Sequence, residues 1–343
     1  MDASTPLASR DAQIAGFIAA AGWGHAKRAP LAGDASARRY ERLSLAGRGT
    51  SVLMDADPAR GEDVVPFRDV ASLLREYGLS APGILAEDTA AGLLLLEDLG
   101  DDLYARRVRQ GPVCEREIYA AAIDLLVTLH TRAPDPALPQ YGPADMAPLA
   151  ALATEWYRPG ALGTPRAAGL EARLTATCRD ALLAQAEDAD VMVLRDYHAE
   201  NLVWLPHRSG LARVGLLDFQ DAAAGHRGYD LISLLRDARR DVSADMRADM
   251  LARYAKGTGR DLASLTAACA VLGAQRNLRI LGVFARLSLR DGKPAYIDLI
   301  PRVWAHIEET LAHPACAALR AVVSESLPVP TPDVLNRLRA ASS

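Results

Sequence analysis

The stretch VLRDYHAENLVWLPHRSGLARVGLLDFQD, residues 193–221, decides how the rest of the chain is read. Two short apolar runs, 202–205 and 214–217, flank the turn Pro206-His207-Arg208-Ser209-Gly210, which predicts an antiparallel hairpin. Asn201 stands directly before the first run and Asp218 directly after the second, so strand pairing brings their side chains to one end. Asp196 lies five residues ahead of Asn201 in the loop leading into it, so three oxygen-bearing side chains are expected to converge. Such ligands suit Mg²⁺, which keeps waters and takes one or two protein oxygens plus substrate phosphates.

Working toward the N-terminus, 28–32, 38–45 and 51–55 read as short strands separated by turn clusters, and 84–87 and 93–97 as two more. Ile14, Phe17, Ile18 and Ala21 follow a possible cap at Ser9, and Phe67, Val70, Leu73, Leu74 and Tyr77 mark the buried face of a second helix. Toward the C-terminus the chain turns helical, with helix-period apolar residues over 113–131, 169–186, 245–256, 261–289 and 294–311. The Pro-rich segment 135–148 reads as a loop, and 328–332 as a spacer before a last short helix. The expected fold is α+β and bilobal: a small mixed lobe over 1–99 that binds nucleotide, and a mainly helical lobe over 100–343 that carries the catalytic loop, metal and acceptor site.

The order Asp-x₄-Asn followed by Asp-Phe is that of the kinase catalytic loop and metal motif. Either piece alone is a weak motif; the order, the hairpin between them, the mixed lobe before and the helices after agree independently. The string Arg195-Asp196-Tyr197-His198-Ala199-Glu200-Asn201 with Asp218-Phe219-Gln220-Asp221 resembles the aminoglycoside phosphotransferase and choline kinase superfamily, which has a protein-kinase-like fold. That resemblance implies ATP and Mg²⁺ as cofactors, Asp196 as catalytic base or hydroxyl-orienting carboxylate, and Asn201 and Asp218 as metal ligands. Arg195 either orients nearby carboxylates or faces solvent, and His198 is either a scaffold hydrogen-bonder, the commoner role, or a proton shuttle. Asp230 at a helix start is read as a scaffold group favoured by the helix dipole.

Phosphoryl transfer needs backbone N–H groups and cations around the ATP phosphates. The turn 33–37, with Ser36, followed by Arg38 and Arg39, is the candidate, although an ordinary hairpin turn with exposed arginines fits as well. Glu97 and Leu99, in LLLLEDLG at 93–100, match the segment whose main chain meets adenine in the family. Met54 stands where the kinase pattern has its phosphate-binding lysine, and Leu194 where a histidine often begins the catalytic loop. Arg38 or Arg39 is the candidate source of the missing positive charge.

GDASARRYERL, VLMDADP, LLLLEDLGDDLY, EWY at 155–157, GYDLISLLRDA at 228–238 and the segment 277–304 resemble, within that superfamily, the bacterial anomeric kinases of N-acetylmuramate and N-acetylglucosamine. The resemblance covers about residues 30–310 and includes Met54. It implies phosphorylation of the C1 hydroxyl to the α-1-phosphate in peptidoglycan recycling, with a sugar-1-phosphate nucleotidyltransferase as the next enzyme. A sugar acceptor needs carboxylates for its hydroxyls and an aromatic face for its ring. Glu155, Trp156 and Tyr157 supply both types, Asp221 is a further candidate, and Arg286 or Arg290 is expected to meet the lactyl carboxylate. Core packing for the two aromatics and a solvated helix face for the arginines are the alternatives. An aminoglycoside kinase calls for a more acidic acceptor pocket than 277–304 offers, and a scaffold that binds ATP without turnover is the reading from another class.

Composition agrees with an ordinary globular enzyme. The 343 residues carry 39 Lys+Arg against 43 Asp+Glu, a net charge of −4, which leaves no basic surplus for nucleic acid. Cys114, Cys178, Cys269 and Cys316 are too scattered for a metal cage or redox pair and are expected as buried thiols in a reducing compartment. The apolar run 262–275 falls short of the ~20 residues that span a bilayer. Asp2 and Asp11 argue against a signal peptide, so the expectation is a cytoplasmic monomer without membrane partners.

Overall fold

Ser9 accepts a hydrogen bond from the Ala12 amide and starts the helix Arg10–Ala20, whose Ile14 and Ile18 are buried against the first sheet. The computed structural model describes residues 9–31 and 38–342. The sheet contains β1 (Lys27–Leu31), β2 (Arg39–Leu45), β3 (Gly49–Asp55), β4 (Ile84–Asp88) and β5 (Leu93–Glu97) in the antiparallel order β1-β2-β3-β5-β4. The helix Val65–Glu76 connects β3 to the second hairpin and buries Phe67, Val70, Ala71 and Leu74; of the face its periodicity predicts, Leu73 and Tyr77 are only half-buried. Leu93 and Leu95 pack with Ile14, Ile18 and Trp23, while Leu94, Leu96 and Met54 are buried too. A central strand covered on both faces reads as a continuous apolar run, which is why β5 shows no alternation.

Two compact units divide the chain: one runs to Gln110 and includes Glu200–Asp221, the other holds Gly111–Ala199 and the chain from Ala222 on. This differs from the expected division into 1–99 and 100–343. The hairpin Leu202–Trp204 and Val214–Leu216 groups with the first unit because its backbone is used there. Gly215 bridges Ser80, Val203 bridges Leu103, the Ser80 hydroxyl donates to the Ala212 carbonyl at 2.7 Å, and the Trp204 amide donates to the Asp102 carbonyl at 2.8 Å.

The second unit is built on the helix Leu262–Leu289, capped by Asp261 and packed by Pro143–Ala150, Ala168–Gln185, Gly228–Leu235 and Ile300–Leu311. Gly282 permits one close approach, since a Cβ there would lie 2.2 Å from the Leu152 carbonyl carbon. The Pro-rich segment is not all loop. It holds the strand Gln140–Tyr141 and starts the helix Pro143–Ala150, because proline at the first helical position lacks only an amide that would have no partner anyway. Gln140–Tyr141, Val191–Val193 and Ala223–Gly225 form a small sheet whose central strand is Ala223–Gly225. No helix among the described residues is long and apolar enough to cross a membrane.

Candidate active site

The strand Val191–Val193 feeds the loop 194–199, and the second unit fixes that loop through its backbone. The amides of Leu194 and Arg195 donate to the Asp230 carboxylate at 2.6 and 2.9 Å. Ser233, one turn on along the helix Gly228–Leu235, donates to the Arg195 carbonyl at 3.1 Å and accepts from the Arg276 guanidinium at 2.8 Å. Asp230 and Ser233 are wholly buried. Burial raises the Asp230 carboxyl to about 7, and the two amides act against that rise. Arg195 is held at φ +67, a left-handed conformation that costs a non-glycine residue about 1–3 kcal/mol and needs such support. Asp196, half-buried, follows it directly, and the Tyr197 hydroxyl pins the far side of the loop to the Ala122 carbonyl at 2.8 Å. His198 is buried; burial holds its imidazole below the ordinary value, and the Asp237 carboxylate opposes that shift.

In the first unit the hairpin brings Asn201 and Asp218 together. The Leu217 amide donates to the Asn201 carbonyl at 2.9 Å, and the Asn201 side chain meets Asp218 Oδ2 at 3.4 Å, with Gln220 on Oδ1 at 2.9 Å. Asp218 has φ +55; with Arg195 it makes the two non-glycine residues of positive φ among the described residues. Phe219 anchors it, buried and stacked on Phe67 with ring centroids 4.8 Å apart. Asp218 itself is exposed, so its carboxylate is fixed at the backbone yet open to a ligand. Among the described residues no three His, Cys, Asp or Glu side chains gather as a metal cage, whereas this amide–carboxylate pair offers hard oxygens that fit Mg²⁺ held partly by phosphates. The expected convergence holds for Asn201 and Asp218; Asp196 belongs to the other unit.

The nucleotide candidates separate along the strand faces. Ser36 lies outside the described residues. Arg39 pairs with Asp55, its cross-strand neighbour, at 2.9 Å, and Asp55 also holds Arg10 at 3.0 Å. Tyr40 is paired with Met54, so both point to the opposite face. Arg38 pairs with Glu62 at 2.8 Å, with both side chains mostly buried. Burial pushes the Tyr40 phenol up to about 12, Arg38 opposes that, and the Asp218 carboxylate adds to it. Arg38 thus sits on the face of Met54 and Asp218, and Arg39 on the other. The Glu97 carboxylate is a clamp, accepting from the Gly83 amide at 3.1 Å and pairing with Arg208. Leu99 packs its side chain with Val203 and Leu205, which leaves its main chain for other duties.

The acceptor candidates fare unevenly. Glu155, Trp156 and Tyr157 form a π-helical turn, Ala153–Tyr157, a widened turn that sequence periodicity does not reveal. Tyr157 is a correction: it is fully buried and its hydroxyl donates to the Pro328 carbonyl at 2.8 Å, so it is core. Trp156 is half-buried with the Arg290 guanidinium 6.0 Å from its ring, and Glu155 pairs with Arg166 at 2.8 Å. Arg290 is exposed and bound by its neighbour Asp291 at 2.6 Å. Arg286 is half-buried, one turn before Arg290 on the same helix, and Asp221 is exposed at the edge of the first unit. Sequence reading missed the buried polar run Gln275, Arg276 and Asn277, hidden inside an apolar helix, and the hold of Asp230 on the loop 194–199. The i, i+3 spacing of Asp230 and Ser233 was the available signal.

The sequence profile of the phosphotransferase enzyme family matches residues 27–266. An N-acetylmuramate/N-acetylglucosamine kinase from Caulobacter vibrioides is 41% identical, the match covering 95% of this chain and 99% of that protein. One of the same name from Pseudomonas aeruginosa is 34% identical over 88% of this chain and 90% of that protein. Among solved structures, choline kinase LicA from Streptococcus pneumoniae aligns with a TM-score of 0.64 at 11% identity, covering 88% of this chain and all of that one (100%), a likeness of fold.

Proposed function

The chain belongs to the phosphotransferase enzyme family, and from that premise we propose that it transfers the γ-phosphoryl group of ATP to the C1 hydroxyl of N-acetylmuramate and N-acetylglucosamine, giving the α-1-phosphates. The likeness along nearly the whole chain to kinases named for those two sugars carries this reading. Asp196 orients the acceptor hydroxyl and takes its proton as the bond to phosphorus forms, and the bonds of Asp230 and Ser233 to the neighbouring backbone keep it in place. Asn201 and Asp218 would hold Mg²⁺, which would supply charge neutralisation to the phosphates. Arg38, paired with Glu62, takes over the phosphate contact of the lysine that Met54 replaces; it repeats the cation–carboxylate pairing found in kinases. Arg39, committed to Asp55, is scaffold. Glu155 and the exposed part of Trp156 are the acceptor contacts left once Tyr157 is assigned to the core. This reading assigns the reaction to the ATP-containing cytoplasm and makes the sugar 1-phosphate a substrate for a nucleotidyltransferase.

The test is Mg²⁺-dependent ATP consumption with N-acetylmuramate, N-acetylglucosamine, glucose, choline and kanamycin side by side. Turnover with the two N-acetyl sugars above the other three is expected. Preference for choline or kanamycin overturns the substrate assignment, and no turnover with any acceptor returns the chain to a nucleotide-binding scaffold.

A further inference from the structure

Along the helix Leu262–Leu289, Arg279 and Arg286 lie seven residues apart, and Arg290 caps its end four residues further. At about 1.5 Å per residue they share one face, with Arg286 about 10 Å and Arg290 about 16 Å beyond Arg279. Arg290 is bound by Asp291 and lies toward Trp156. Arg279 is different. Its Nη1 donates to the hydroxyls of Tyr141 and Tyr229, both at 3.3 Å, and among the described residues no carboxylate lies within ion-pair distance of it. The two hydroxyls are 3.4 Å apart, their rings meet edge-on, and the Arg195 guanidinium lies 4.4 Å over the Tyr141 ring. Two cations therefore flank one neutral aromatic pair, directly beside the residue that follows Arg195 in the chain, Asp196. Burial opposes the Arg279 charge, while the two phenols and then the Asp196 carboxylate sustain it, so the guanidinium and that carboxylate lie within electrostatic reach. Asp230, the other acid of this region, is engaged by two backbone amides.

A half-buried guanidinium whose side-chain hydrogen bonds go only to two phenol hydroxyls has further N–H donors, and an arriving carboxylate is matched to them. The two sugars of the proposed function differ in one anionic group, the O3 lactyl carboxylate of N-acetylmuramate, which lies within one sugar ring of the reacting C1 hydroxyl. We propose that Arg279, aligned by the Tyr141 and Tyr229 hydroxyls, is the receptor for the acceptor's carboxylate and so sets the preference between the two sugars. Arg290, three turns along the helix, is already bound by Asp291, and Arg286 and Arg290 lie further along the helix than Arg279, which the Tyr141 ring links to Arg195. The inference rests on the proposed function.

The experiment measures kcat/KM for N-acetylmuramate, its methyl ester and N-acetylglucosamine with the wild-type enzyme and with Arg279→Gln. Wild-type turnover of the two natural sugars tests the proposed function, and its absence removes that reading together with this one. Given turnover, the wild type should favour the acid over the ester by about 10- to 100-fold, the range of a charge-assisted contact. Arg279→Gln should abolish that preference and leave N-acetylglucosamine within about 3-fold of wild type. Acid and ester treated alike by the wild type overturn the proposal without any substitution, so a poorly folding variant cannot shelter it. A preference that survives in Arg279→Gln overturns it too, as does an equal loss on all three acceptors.

Discussion

The loop around Asp196 and the hairpin end around Asp218 both hold a non-glycine residue in left-handed conformation, and they do it by different means. The first is gripped through its backbone by the buried Asp230 and Ser233, and Arg276 in turn donates to the Ser233 hydroxyl. The second is pinned by a strand pairing and by the Phe219 ring stacked on Phe67, with the carboxylate left exposed. Directional hydrogen bonds fix an orientation, which a proton-accepting group needs; an apolar anchor fixes a position and leaves oxygens open, which a metal ligand needs. The difference predicts that damage to one region appears in kcat and damage to the other in metal and nucleotide affinity.

The largest effect is expected at the loop. Asp196→Asn should lower kcat by about 10²–10⁴ with ATP affinity nearly intact, measured by steady-state rates and calorimetry; retention of more than a tenth of kcat moves the base elsewhere. At the hairpin end, Asp218→Ala should lower kcat/KM by about 10²–10³ and shift the Mg²⁺ titration to higher concentration; an unchanged magnesium dependence refutes the ligand role. Arg38→Gln should raise the KM for ATP by roughly 10-fold, the scale of one charge-assisted bond, while Arg39→Gln leaves it within about 2-fold. The reverse pattern would exchange the two assignments.

The smallest effect concerns the buried support. Asp230 has its carboxyl raised to about 7 in the folded protein, above the ordinary carboxylate range of the unfolded chain. Between those values the native state binds the extra proton, so this group's contribution to stability is complete at the acid end and lost as pH rises toward about 7. Asp230→Asn should flatten that part of the stability–pH curve in urea unfolding, and an unaltered slope would mean the carboxyl titrates normally.

Much of this was legible because it is local. The hairpin turn, the flanking Asn201 and Asp218, the five strands and the Ser9 cap follow from residue order alone. What was not legible is tertiary. Nothing in the order of Arg38 and Arg39 says which one faces Met54; the register of β2 on β3 says it. Tyr157 reads as a ring platform until Pro328, far along the chain, accepts its hydroxyl. The grip of Asp230 on the Leu194 and Arg195 amides joins residues more than thirty positions apart. The hairpin's membership in the first unit likewise depends on its bridges to Ser80 and Leu103, which no local pattern announces.

Phosphorus NMR of the product formed from ATP and N-acetylmuramate tests the central claim most directly. A phosphorus resonance coupled to the anomeric proton of the sugar, formed only with Mg²⁺ and all but absent with Asp196→Asn, is the expected result. Phosphate on any other hydroxyl, or no sugar phosphate from an enzyme that still binds ATP, would contradict it.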